Sequence, residues 1–161
     1  MATITKRQAQ KLLDAYTKEQ TAAAEAAIAA YNREVDANMA ETEAAVNAEK
    51  AKAETEAATT VDRAAVQALI DRYAVAETLG NLGLLRSGTA DTAREGIARR
   101  RTTAEREAQT AKRQALSALS QRLVTARRQA EAKKQKNAAT VRKTVAGKVA
   151  EKKLTLGKQG G

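Results

Sequence analysis

The chain has no proline, cysteine, histidine, tryptophan or phenylalanine, and no glycine before Gly80. With neither proline nor glycine, the first 79 residues contain nothing that stops an α-helix once it has begun. Without histidine or cysteine the chain lacks the usual general base, the thiol nucleophile and the soft metal ligands. Its three serines, Ser87, Ser117 and Ser120, have no imidazole to activate them. Carboxylates strung along a solvated helix do not form the paired, desolvated site that chemistry needs. The sequence therefore predicts no enzyme, no cofactor and no metal. No run of about eighteen apolar residues occurs, and the first ten residues, MATITKRQAQ, hold no apolar stretch of the signal-peptide kind. The expectation is a chain that stays in the cytoplasm of the cell that makes it. The absence of disulfides suits an intracellular assembly.

Large apolar side chains are also scarce: four Ile, twelve Leu and nine Val in 161 residues. With a net charge of +10, that scarcity lies in the range of disordered chains. Disordered chains, however, are rich in proline, glycine and serine. Here alanine, the best helix former, supplies most of the 43% hydrophobic fraction. The composition describes a helical chain with a thin core. Alanine buries little area, so a lone pair of helices gains modest hydrophobic free energy against the entropy of ordering. Stability is expected from oligomerisation or from burial in a larger particle.

Bulky residues recur three or four apart at Leu12, Leu13 and Tyr16, then at Ile28, Tyr31, Val35 and Met39, as on helical stripes. They thicken again at Val66, Leu69, Ile70, Tyr73 and Leu79, which predicts that the end of the first helix nearest the break is its best packed part. The break is residues 80–91, GNLGLLRSGTAD. Gly80 is placed to be the left-handed residue that ends the helix, with Leu82, Leu84 and Leu85 able to fold back on its last turn. The second helix then starts on Ser87, Thr89 or Asp91, and Thr92 with Glu95 matches a capping box. Its apolar positions continue through Ile97, Leu116, Leu119, Leu123, Val141, Val145 and Val149, and LTLGKQGG reads as a flexible tail.

Charge is divided unevenly. Residues 1–79 carry 9 cationic and 13 acidic side chains, whereas residues 80–161 carry 20 and 6. Folding the chain back about residue 84 sets acidic positions 19–62 against basic positions 106–149. Exposed ion pairs contribute only about 0 to 1 kcal/mol each, so this pairing fixes register and direction more than it stabilises. The clusters Arg99, Arg100, Arg101, Arg127, Arg128, Lys133, Lys134, Lys136, Arg142 and Lys143 are candidates for contact with nucleic acid or with an acidic partner. The only aromatics, Tyr16, Tyr31 and Tyr73, lie in the other arm, so base stacking is not expected and any contact with DNA is non-specific. A basic arm without Trp or Phe argues against a membrane surface. Gly80, Gly83 and Gly88 do not make a phosphate loop, since no strand precedes them and no GK[ST] follows.

Asn81, Leu82, Gly83, Leu84, Ser87, Gly88 and Thr92 stand in the order N-L-G-L-x-x-S-G-x-x-x-T between a polar or acidic helix and a basic one. In this the chain resembles short Ala- and Gln-rich helical proteins encoded among the virion structural genes of tailed bacteriophages. The resemblance implies a multicopy virion component near the portal, the head-tail junction or the tail lumen, released with the DNA, and it brings no catalytic residues.

The expected fold class is all-α: two long antiparallel helices in an extended helical hairpin, packed in an oligomer. The expected organisation is a helix over 1–79, a hinge over 80–91 (Gly80, Asn81, Leu82, Gly83, Leu84, Leu85, Ser87 and Gly88, with Thr92 just after), a basic helix over 92–153 and a tail over 154–161. The expected function is that of a non-enzymatic virion structural protein, made in the host cytoplasm, with further copies and portal, tail or coat proteins as partners. The alternatives are a capsid scaffolding or assembly protein and a non-specific nucleic-acid-binding helical protein. A generic coiled-coil stalk is disfavoured by the lack of a sustained heptad.

Overall fold

The computed structural model describes residues 5–159, and 95% helix with no strand is what the sequence demands of them. Two helices pack against each other: α1, Lys6–Asn81, of 76 residues, and α2, Gly88–Gln159, of 72 residues. The all-α class and the hairpin are as expected. The second helix starts four residues earlier than expected and continues through residues 154–159, where a tail was expected; Leu156 is buried there. Gly160 and Gly161, the end of that expected tail, lie outside the described residues.

Helix α1 begins on a cap. The Thr5 hydroxyl accepts from the Gln8 amide N–H at 3.4 Å, and the Gln8 side-chain oxygen accepts from the Thr5 amide at 3.0 Å. This reciprocal arrangement satisfies two of the N–H groups that a helix start otherwise leaves free. Threonines inside the helices satisfy their hydroxyls locally, donating to the carbonyl four residues back, as Thr42 does to Asn38 and Thr59 to Thr55.

The buried positions of α1 follow one rule. Ala24, Val35, Val46, Ala57, Ala68 and Leu79 are buried, each eleven residues after the last. In α2, Ile97 and Ala108 are buried and half-buried Leu119, Ala130 and Val141 continue the same step. A second inner column of α2, Leu123, Lys134, Val145 and Leu156, repeats at eleven as well. Eleven residues close three helical turns with about 20° to spare, against a similar deficit for seven, so the seam drifts in the opposite sense from a heptad seam. Alanine fills three of the six buried positions of α1, Ala24, Ala57 and Ala68, and such small side chains bury little area.

The chain divides into two compact units, each containing a segment of both helices. The hinge unit, Ala44–Leu123, holds Val46, Ala57, Ala68, Leu79, Ala90, Ile97 and Ala108 in its core. Its helices are tied by Asp71–Arg100 at 3.4 Å, Glu54–Lys112 at 3.8 Å and Glu49–Arg122 at 3.2 Å. The terminal unit, Met1–Glu43 with Val124–Gly161, buries Ala24, Val35 and Leu156. It is tied by Glu43–Arg127 at 2.8 Å and Asp36–Lys134 at 2.5 Å, and the Lys152 ammonium lies 5.6 Å from the Tyr16 ring centroid. Both of those ion pairs are centred on residue 85, one position from the fold point that the charge pattern gives.

Candidate interaction surfaces

The hinge is a helix stop closed by its own backbone. Gly83, not Gly80, is the left-handed residue, with φ of 68°. Its N–H donates to the Gly80 carbonyl at 3.0 Å, and the Leu84 N–H donates to the Leu79 carbonyl at 2.8 Å. These are the two bonds of a Schellman stop, so α1 runs through Gly80 and ends at Asn81. Leu82 still donates to the Thr78 carbonyl, at 3.3 Å. Gly80 needs neither the left-handed conformation nor the space: a β-carbon there would make an ordinary contact with the Leu85 side chain at 3.7 Å.

Leu84 then turns the chain. Its carbonyl accepts from the Ser87 amide at 3.0 Å and from the Ser87 hydroxyl at 2.6 Å, and the Ser87 carbonyl accepts from the Ala90 amide at 3.0 Å as α2 begins at Gly88. Thr92 is not a cap. It lies inside α2, its hydroxyl donating to the Gly88 carbonyl at 2.9 Å, while Glu95 pairs with Arg99 at 2.6 Å. The three leucines expected to fold back on the last turn, Leu82, Leu84 and Leu85, are exposed, whereas Leu79 within that turn is buried.

The cationic residues fall into two groups. Arg99 and Arg101 are answered within α2 by Glu95 and Glu105, Arg100 and Arg127 reach across to Asp71 and Glu43, and Lys134 holds both Asp36 and Glu131. The hydrogen bonds that it donates to Asp36 and then to Glu131 hold the Lys134 ammonium above the usual lysine value of 10.5, against a smaller opposing effect of burial. Arg128, Lys133, Lys136, Arg142 and Lys143 make no ion pair among the described residues, and all five belong to the terminal unit.

The apolar cluster before the hinge lies where the sequence did not lead us to expect it. Val66, Leu69, Ile70 and Tyr73 are 58%, 53%, 54% and 70% exposed, whereas Ala68 among them is buried against α2. At 3.6 residues per turn, Val66 and Ile70 lie roughly 160° round the helix from Ala68. The bulky side chains therefore occupy the back of α1 and the small ones its packed face. Beside this back face, Leu69, Tyr73, Ala76, Leu79 and Leu85, with Arg94, line an open groove of about 490 Å³. A second open groove, about 530 Å³, lies in the terminal unit between Ala24, Ile28, Val145 and Val149.

Among the described residues no three His, Cys, Asp or Glu side chains gather into a cluster fit for a metal ion, and no helix is long and apolar enough to cross a membrane. What the molecule offers is surface: one apolar face in the hinge unit and one excess of unanswered cations in the terminal unit. Comparison with protein-family models, with curated proteins and with solved structures finds no match.

Proposed function

We propose that this protein is a non-enzymatic structural component that works by helix-on-helix assembly with further copies of itself and with neighbouring proteins. The observation that carries the proposal is the exposed stripe Val66, Leu69, Ile70 and Tyr73 on a helix whose opposite face is already packed. A helix that is apolar on two faces needs a second partner, and a patch of this kind on a soluble chain marks an interaction surface. Open grooves without paired titratable groups serve packing better than chemistry. The hinge resemblance supplies the setting: a tailed-phage virion, at the portal, the head-tail junction or the tail lumen, from which the protein leaves with the DNA. Sedimentation velocity of the purified chain tests the assembly: a helical oligomer whose size grows with concentration is expected, and a monomer at every concentration overturns it. Mass spectrometry of mature particles tests the setting. Presence there separates a virion component from a scaffold, which departs before maturation.

A second reading rests on Arg128, Lys133, Lys136, Arg142 and Lys143, which make no ion pair among the described residues. Exposed cations that hold no carboxylate suit non-specific contact with nucleic acid. Such binding falls with salt along a log-log slope of about 0.9 per phosphate contacted. Absence of duplex binding at low salt removes this reading.

A further inference from the structure

We propose that two copies of this chain pair through the back of α1 between Arg63 and Glu77, with the two helices antiparallel about a two-fold axis at Ile70. This rests on the assembly reading above and names the surface and the geometry by which it is achieved.

Three observations carry it. The stripe is large enough: four bulky side chains, each more than half exposed, present on the order of 400 Å² of apolar surface per copy, within the range of patches that serve as contact sites. Two such patches and their polar margins reach the roughly 1,000 Å² that a specific contact needs.

The stripe is also bounded symmetrically. Arg63 and Glu77 stand seven residues before and seven after Ile70. Seven residues are close to two turns, so Arg63, Ile70 and Glu77 lie within about 40° of one another around the helix, on the exposed back. Neither Arg63 nor Glu77 makes an ion pair among the described residues, although α1 and α2 of the same unit are joined by three.

The signs of these charges choose the direction. A two-fold axis at Ile70 sets Arg63 of one copy beside Glu77 of the other, twice, and sets Asp62 beside the uncharged Thr78. Parallel pairing in register would set Arg63 against Arg63 and Glu77 against Glu77, which is unfavourable at both ends. The patch is thus self-complementary only when antiparallel, the condition for a closed two-fold contact. Val66, Leu69 and Tyr73 then fill the space around the central Ile70.

The absence of native cysteine makes the test direct. In the full chain, Ile70→Cys places one thiol at the axis, where the paired helices bring the two sulfurs within disulfide reach. Mild oxidation at micromolar concentration is expected to give a covalent dimer, while Thr110→Cys, on an exposed position of α2, does not. Arg63→Glu and Glu77→Arg, each on an exposed position, are each expected to weaken self-association about tenfold or more, and the double reversal to restore it. Circular dichroism of each variant verifies that helix content is kept. If the chain assembles but residue 70 does not cross-link and the reversals leave association unchanged, this surface is wrong and the assembly reading stands. If the native chain is monomeric throughout, both fall.

Discussion

Lys134 sets its ammonium 2.5 Å from the Asp36 carboxylate and 3.1 Å from Glu131, from a position on the inner face of α2 eleven residues after Leu123 and eleven before Val145. Only 19% of its side chain is exposed. Its stem fills a seam position in which an apolar residue would otherwise sit, and its charge is carried out to two acids. Asp36 is thereby fixed opposite one place on α2, so the pair sets register in the terminal unit.

The pairing makes stability depend on alkaline pH. Asp36, and secondly Glu131, raise the Lys134 pKa above its usual 10.5. A raised cationic pKa stabilises the folded chain fully below the unfolded value and loses that contribution as pH climbs through the folded one. The difference in unfolding free energy between the native chain and Lys134→Met should therefore be constant from pH 7 to 9 and shift against the native chain above about pH 10.4. Urea denaturation of both at pH 8 and pH 11 measures it. Asp36→Asn should remove most of that pH-dependent difference, since the first cause of the shift is gone.

Glycines in this chain do opposite things. Gly83 sits at φ 68° in the helix stop, where a side chain is strained whatever the space around it. Gly83→Ala should cost about 1 kcal/mol. Gly96 and Gly147 lie inside α2 with nothing within 4 Å of an added β-carbon. Replacing either by alanine should stabilise by about 0.5 to 1 kcal/mol. Chemical denaturation of the three variants would show the two signs side by side, and a neutral Gly83→Ala would mean the stop does not need its left-handed residue.

The helices, their reversal and their register were legible because each depends on signals that do not need a core: missing breakers in α1, Gly83 with its neighbours, and opposite charge on residues such as Glu43 and Arg127. The seam was not. Ala57 and Ala68 are buried while Ala58 and Ala74 are exposed, and alanine carries no mark of which it will be. A search for sevens passes over a repeat of eleven, and Val35, Val46 and Leu79 are too far apart to show it unaided. The bulky cluster from Val66 to Tyr73 then drew the reading of the core to itself. Its place on the back of α1 follows from phase: it is out of step with the series from Ala24 to Leu79. The helix stop lies at Gly83 and not at Gly80 because helix-compatible residues on both sides of Gly80 let α1 run two residues into the glycine segment, to Asn81, before Gly83 ends it.

The same substitution at two valines separates the two faces of α1. Val46 is fully buried in the seam, whereas Val66 is 58% exposed on the back. Val46→Ala should destabilise by about 2 kcal/mol, combining the lost transfer energy of its methyl groups with the cavity left behind. Val66→Ala should be close to neutral for unfolding in dilute solution, yet reduce self-association at high concentration. Denaturation and sedimentation, run on both variants, give the two readouts. Equal destabilisation by the two would contradict the eleven-residue seam.

Asn32 holds the one buried side-chain oxygen without a hydrogen-bond partner among the described residues. It lies on α1 of the terminal unit, three residues before buried Val35 and next to half-buried Tyr31. An acceptor taken out of water and given nothing in return costs about 1 to 3 kcal/mol, so an apolar replacement of similar size should stabilise the fold. Asn32→Leu keeps helix propensity high and removes the orphan oxygen, and a rise of about 1 kcal/mol in unfolding free energy is expected. A uniform gain would identify the asparagine as a cost borne for something other than stability. The place to look is strand exchange and register in the assembled state, since a polar residue in a helix seam penalises every alignment that buries it worse than the native one. If Asn32→Leu raises the melting temperature but broadens the distribution of oligomers in sedimentation, Asn32 specifies the pairing; if it lowers stability, the oxygen has a partner in solution and the seam is wetter than its packing indicates.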